Sequence, residues 1–215
     1  MERSTKVGVA REIMGYDFLG PDELHIMVEK LKLVEPLKYN NVPEIPFPIE
    51  MLQKCANEFI LFLGIPNCQD GSLLSLNKMR LVFGIDPTIF EPCFYNQDWY
   101  INDCFANECT MNFQWYLIRK ELLSATRGKD LMIKSEKDFQ FLPTALICAY
   151  AFFAFYFRNH KYLWEHDFIW CKDVDNSGDR IYVARYLDPK GINKNGFNIH
   201  RHLKVKDNFG CVKLF

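Results

Sequence analysis

A chain of 215 residues that is 49 % hydrophobic and 25 % charged can bury a real core in one large or two small domains, which excludes a disordered or collagen-like protein. Its formal net charge of -1 lacks the basic excess usual for a nucleic-acid binder. Aromatic residues are abundant along the whole chain.

The start, Met1-Glu2-Arg3-Ser4-Thr5-Lys6, runs into charged residues without the apolar stretch of a secretory signal. A cytoplasmic location is therefore expected. Residues 1–20 are loosely patterned and end at Gly20-Pro21. Asp22 can cap a helix over 23–33, with Leu24, Met27, Val28 and Leu31 on one face. The stretch Pro43-Glu44-Ile45-Pro46-Phe47-Pro48 is stiff and extended. It is taken as the boundary between an N-terminal extension with one helix (1–48) and the main domain (49–215).

Residues 49–57 suggest a short helix. Phe59-Ile60-Leu61-Phe62-Leu63-Gly64-Ile65, closed by Pro66, reads as a buried strand. Residues 70–95 are ambiguous: Leu73, Leu74, Leu76 and Met79 suit a helix, Arg80-Leu81-Val82-Phe83 a strand. A helix is expected over 98–107, a strand over 113–119 and a polar loop over 124–138. The longest uncharged stretch, 139–157, includes Gln140 and Pro143, and its apolar part falls short of the ~20 residues of a membrane span. It predicts a buried helix opened by Pro143 in its first turn. Short strands follow at about 166–173, 179–187, 197–205 and 209–214. Few strand–helix units alternate, so the expected class is α+β, not a doubly wound sheet.

The terminal strands hold the functional expectation. Side chains alternate across a strand. Ile181, Val183, Leu187, Ile199, Leu203 and Val205 form one set, read as the fixed inner scaffold. The opposite set, Arg180, Tyr182, Ala184, Tyr186, Asn198, His200, His202 and Lys204, would face water, as would Trp170, Lys172 and Asn208. Such a mixture of Tyr, His, Asn and Lys suits an adaptable recognition surface better than a catalytic pocket. On this reading Tyr182→Ala shifts stability little, whereas Leu203→Ala truncates the core.

Other motifs have plainer readings. Asp173-Val174-Asp175-Asn176-Ser177-Gly178 matches the first half of a calcium loop, but Ala184 stands where a bidentate Glu is needed. A hairpin turn explains the same letters, with Asp173, Asp175 and Asp179 as weak candidates for calcium. His200-x-His202 supplies only two imidazoles, fewer than a zinc site requires. None of the eight cysteines forms a Cys-x-x-Cys pair. Cys148 reads as a core residue, and Cys171 and Cys211, both on expected strands, could be neighbours. No Gly-x-Ser-x-Gly, phosphate loop or His-Glu-x-x-His occurs, so a non-catalytic role is expected. Lys190, Lys194, Arg201, Lys204 and Lys206, with rings between them, leave single-stranded nucleic acid as an alternative partner. Interspersed aspartates dilute that field.

Three stretches carry a resemblance. Trp115-Tyr116-Leu117-Ile118 followed by Leu142-Pro143-Thr144-Ala145, the segment Trp170-Cys171-Lys172-Asp173 through Tyr182-Val183, and the close Asn208-Phe209-Gly210-Cys211-Val212-Lys213 resemble C-type lectin domains of the formylglycine-generating-enzyme type. They are similar in particular to the variable proteins of diversity-generating retroelements, found in bacteria and phages, a resemblance that adds a virion-associated location to the cytoplasmic one. The resemblance implies a C-type-lectin-like domain over 49–215, with two helices and a mainly antiparallel sheet. It implies a hypervariable receptor-binding region at about 167–210, displaying Trp170, Lys172, Tyr182, Ala184, Tyr186, Asn198, His200, His202, Lys204 and Asn208 to a protein or glycan. It also leaves open an oxidoreductase reading that uses Cys171 and Cys211.

Overall fold

Phe59–Leu63 (β2) is apolar at every position, and every position is buried. A strand of this kind needs cover on both faces and partners on both edges. In the computed structural model, which describes residues 4–36, 42–129, 141–187 and 195–215, β2 has both edge partners. Phe18–Leu19 (β1) pairs parallel to it and Trp115–Arg119 (β3) antiparallel. The chain's end lies on the outer edge of β3, where Leu117 and Phe215 exchange backbone hydrogen bonds of 3.1 and 3.0 Å.

The segment read as an N-terminal extension thus supplies a strand to this sheet. It also supplies two helices, α1 (Val7–Met14) and α2 (His25–Lys30). Leu24, Met27, Val28 and Leu31 are buried, as the periodicity predicts, in one hydrophobic cluster with β2. Asp22 does not cap the helix; its carboxylate meets Arg11 at 2.6 Å, and Leu24 occupies the cap position. Lys120 and Asp17 add a half-buried ion pair at 2.6 Å.

The ambiguous stretch resolves as a helix, α4 (Leu76–Phe83), after α3 (Ile49–Cys55). The Ser75 hydroxyl decides its start by accepting the Lys78 amide at 3.3 Å. The helix expected over 98–107 shrinks to α5 (Cys104–Asn107). Asp103 instead turns its carboxylate to the Asn176 amide at 3.2 Å, the competition with backbone that short polar side chains offer.

The long apolar run forms α6 (Ala145–Asn159). Its cap is Thr144, whose hydroxyl accepts the Ile147 amide at 3.1 Å, so Pro143 precedes the cap and lies outside the first turn. A helix apolar all round must be covered all round, and α6 achieves this between two sheets. Tyr150 meets Phe62 of β2 at 5.7 Å. On another side Phe152 meets Phe197 of the C-terminal sheet at 5.1 Å.

That second sheet runs in the order β6-β5-β4-β7. Its strands are β4 (Phe168–Val174), β5 (Arg180–Tyr186), β6 (Gly196–His200) and β7 (Phe209–Gly210). Ile181, Val183 and Ile199 are fully buried on the inner face, as expected, and Ile169 and Cys171 of β4 are fully buried with them. The class is α+β. However, among the described residues four α-helices occur over 49–215, not two, and two in the segment before it, not one; each sheet contains one parallel pair, so both sheets are mixed. No helix among the described residues is long and apolar enough to cross a membrane.

The outer face departs from the alternation argument. Tyr182 is 1 % exposed and packs with Trp170, Phe209, Leu142 and Cys211 in a second, smaller core. The cause is topological. β6 and β7 occupy opposite edges of the sheet, so the chain between them must cross β5 and β4. With α6 on the inner face, it crosses on the outer one. β6 therefore stops at His200 and does not continue to 205. The Leu203 amide donates to the Tyr182 hydroxyl at 2.5 Å, and Val205 packs on the small core. Leu203, assigned to the inner scaffold, lies on this crossing segment and is 45 % exposed.

These environments reverse the stability order expected from alternation. Tyr182→Ala should cost about 3–5 kcal/mol, as large aromatic core truncations do, and Leu203→Ala less than about 1 kcal/mol. Urea unfolding of the two variants measures this, and a larger loss for Leu203→Ala would contradict the burial pattern.

Candidate ligand-binding cleft

The crossing segment, 201–208, does not lie flat on the sheet. It leaves a cleft of about 460 Å³ lined by His166, Phe168, Arg185, Tyr186, His200, Leu203, Lys204, Lys206, Asn208 and Phe209. Parallel pairing of β4 with β7 sets Phe168 opposite Phe209, and their rings stack with centroids 4.6 Å apart. Phe168, half-buried, provides an apolar floor, and the buried Phe209 ring backs it. Asn208 holds the far end of the crossing segment by donating its side-chain amide to the His166 carbonyl. Tyr186 is steadied edge-on against Tyr95 at 5.4 Å.

His200, the last residue of β6, lies 6.1 Å from Tyr182, ring over ring. Burial pushes its pKa below the ordinary histidine value. The imidazole is therefore neutral at pH 7, with one nitrogen to donate and one to accept.

No carboxylate of the described residues lines the cleft. Arg185 borders it, but its guanidinium is committed to Glu91 at 2.6 Å and Glu165 at 3.2 Å, over the Tyr162 ring at 3.5 Å. Lys204 and Lys206 differ: both are exposed, and neither forms an ion pair among the described residues.

Of the ten residues read as a binding surface, the structure gathers Tyr186, His200, Lys204 and Asn208 in this cleft. Lys172 is exposed but sits at a separate hollow beside Phe141 and Thr144. Trp170, Tyr182, Ala184 and Asn198, expected to face water, are buried beneath the crossing segment and its surroundings. Asn198 Oδ1 has no hydrogen-bond partner among the described residues. Phe168 and Phe209 were not singled out, although Phe168 shares a strand face with Trp170 and alternation alone could have found it. Leu203 and Lys206 enter through the crossover, for which no local pattern exists.

His202 was expected beside His200 on one strand face. It lies past the strand's end at φ 64° and meets Asp179 at 2.5 Å. The Asp-rich motif is a hairpin turn, as expected. Asp175 Oδ1 accepts the amides of Ser177 and Asp179, each at 2.8 Å, and Gly178 takes φ 89°. Asp175, Asp179 and His202 bring one ligand atom each within 4.8 Å of one another. Three donors fall short of the six to eight oxygens calcium requires, and Asp175 is already ion-paired with Arg201. Arg201 in turn lies 4.5 Å over the Trp99 ring. Asp173 takes no part in this cluster, because its carboxylate accepts the Ala145 amide at 2.5 Å, at the start of α6.

All eight cysteines are free thiols. Cys171 lies near Cys148 and Cys211, and burial raises its pKa well above the ordinary range. Burial likewise pushes Cys211 to about 11. Of the lysines that suggested nucleic acid, Lys190 and Lys194 fall outside the described residues. With the geometry in view, the fold and cleft define an α+β protein with a small ring-floored, cationic site on its C-terminal sheet. No protein-family model, curated protein or solved structure matches the chain.

Asp173 yields a pH prediction. Burial raises its folded pKa from 3.8 to about 6. The folded protein then binds the proton more tightly than the unfolded chain, so the stabilisation is complete below about pH 4 and is lost as pH rises to about 6. Asp173→Asn keeps an acceptor for the Ala145 amide and removes the charge. It should flatten this decline and raise stability at pH 7.5 by on the order of 1–3 kcal/mol, read from urea midpoints across pH 4–8.

Proposed function

We propose that this chain is a non-catalytic binding protein that holds its ligand in the cleft between the outer face of the C-terminal sheet and the segment crossing it. The observation that carries the reading is the convergence of Tyr186, His200, Lys204 and Asn208 on one concave, ring-floored site. Small-ligand sites have this form: apolar walls with a few placed polar groups. The state of the thiols favours binding over catalysis. A nucleophilic cysteine needs a depressed pKa and access, and Cys171 and Cys211 have neither.

The scaffold reading goes with this function: a C-type-lectin-like domain whose C-terminal region is rewritten by a diversity-generating retroelement, on a phage- or bacterium-borne receptor-binding protein. It is supported by Leu142-Pro143-Thr144 opening the central helix and by the chain's end pairing beside β3. On this fold the exchangeable positions reduce to those with access to ligand, namely Lys172, Tyr186, His200, His202, Lys204 and Asn208. Trp170, Tyr182, Ala184 and Asn198 belong with the fixed scaffold.

Two tests follow. Sequencing the DNA around the gene should show a reverse-transcriptase gene and a near-copy of the 3′ coding end, mismatched at adenines and chiefly within the six accessible codons. Mismatches concentrated at the four buried codons would contradict the assignment. A Tyr186→Ala, His200→Ala double variant should lose at least about tenfold in affinity for whatever ligand a binding screen returns. It should keep a thermal midpoint within a few degrees of the parent, as circular dichroism would show.

A further inference from the structure

The cleft's composition narrows the class of ligand, and the narrowing rests on the binding reading above. Its rim is cationic: Lys204 and Lys206 stand exposed without an ion pair among the described residues, and no carboxylate of the described residues lines the site. A negative ligand group therefore meets attraction at these two ammonium groups. The floor is the half-buried Phe168 ring, backed by the buried Phe209 ring it stacks on, which suits a flat ring presenting C–H groups. Between floor and rim, neutral His200, the Tyr186 phenol and the Asn208 side chain offer donors and acceptors at several directions.

Peptide addition to a sheet edge is a poorer match. The free edge of β6 is covered by 93–97, with Tyr95 donating to Phe197 at 2.8 Å. The β7 side is covered by 123–128, with Gly128 donating to Phe209 at 2.9 Å. With both edges occupied, an extended peptide finds no row of backbone groups to pair with. The volume of about 460 Å³ has room for one or two sugar rings.

We propose that the cleft takes the acidic sugar of a glycan. The C–H face of a pyranose lies on the phenylalanine floor. Its carboxylate or sulfate points to Lys204 and Lys206, and its hydroxyls are read by His200, Tyr186 and Asn208.

Titration of the full chain, followed by amide NMR shifts, tests this with methyl glucuronide, the neutral methyl glucoside and benzoate. A Lys204→Gln, Lys206→Gln double variant, altered only at exposed side chains, is titrated in parallel. The glucuronide should shift amides of 166–168 and 200–209, bind on the order of tenfold more tightly than the glucoside, and weaken by a similar factor in the double variant and at high salt. Benzoate, which has the charge and a ring but no hydroxyls, should bind more weakly than the glucuronide. Equal binding of glucoside and glucuronide, equal or tighter binding of benzoate, or glucuronide binding unchanged in the double variant overturns the proposal. A displayed-peptide library that yields binders sensitive to Tyr186→Ala and His200→Ala, with no response to any sugar, overturns the sugar class and leaves the cleft as the binding site. Ligands from sugar and peptide screens that all ignore those two substitutions overturn the cleft itself.

Discussion

The placement of β6 and β7 on opposite edges of one sheet governs everything distinctive about the C-terminal half. One face of that sheet is filled by α6, and eight residues must link the two edges, so they cross the other face. The crossing shelters Tyr182, Trp170 and Phe209 from water, and each of these rings would otherwise stand on a solvated surface. It also stops β6 at His200 and holds a cleft open beside Phe168. A small core and the candidate cleft thus have one cause. The Tyr182 phenol secures the arrangement by accepting the Leu203 amide, which satisfies a polar group on an otherwise apolar ring.

The central helix imposes the complementary constraint. α6 has no polar face to give to solvent, so it forces the N-terminal three-stranded sheet and the C-terminal four-stranded sheet to close on it from different sides. Its start is held twice, by the Thr144 hydroxyl and by the Asp173 carboxylate from β4. The second of these ties the helix to the strand that leads into the Asp175 hairpin. Rigidity at the base of the sheet is what a surface needs if its outer residues are to differ in chemistry without disturbing the fold.

A display surface and a packed interior impose opposite demands on a side chain. Alternation sorts the residues of β5 into two groups correctly: Ile181 and Val183 share one side, Tyr182 and Ala184 the other. Which side meets water is a separate matter, and here neither does along the middle of the strand. Aromatic residues on a nominally outer face fit a second core as well as a recognition surface. The exposed cations and amides that follow, Lys204, Lys206 and Asn208, mark where the surface begins.

Local chemistry determined a good deal unaided. The buried strand at Phe59–Leu63, the apolar helix at Ala145–Asn159, the α2 face of Leu24, Met27, Val28 and Leu31, and the Asp175–Gly178 turn follow from periodicity, composition and backbone preference within short windows. The candidate site was legible in part, because Tyr186, His200, Lys204 and Asn208, which line the cleft, combine polar and aromatic types with positions near the ends of strands. Tertiary structure alone decided that the first forty-odd residues give a strand to the sheet of β2 and β3, that Leu203 is exposed and Tyr182 buried, and that Phe168, backed by Phe209, floors a cleft. Those outcomes depend on which strand edges lie side by side and where a connection must cross. Such pairings join residues far apart in the chain, and no window of neighbouring side chains encodes them.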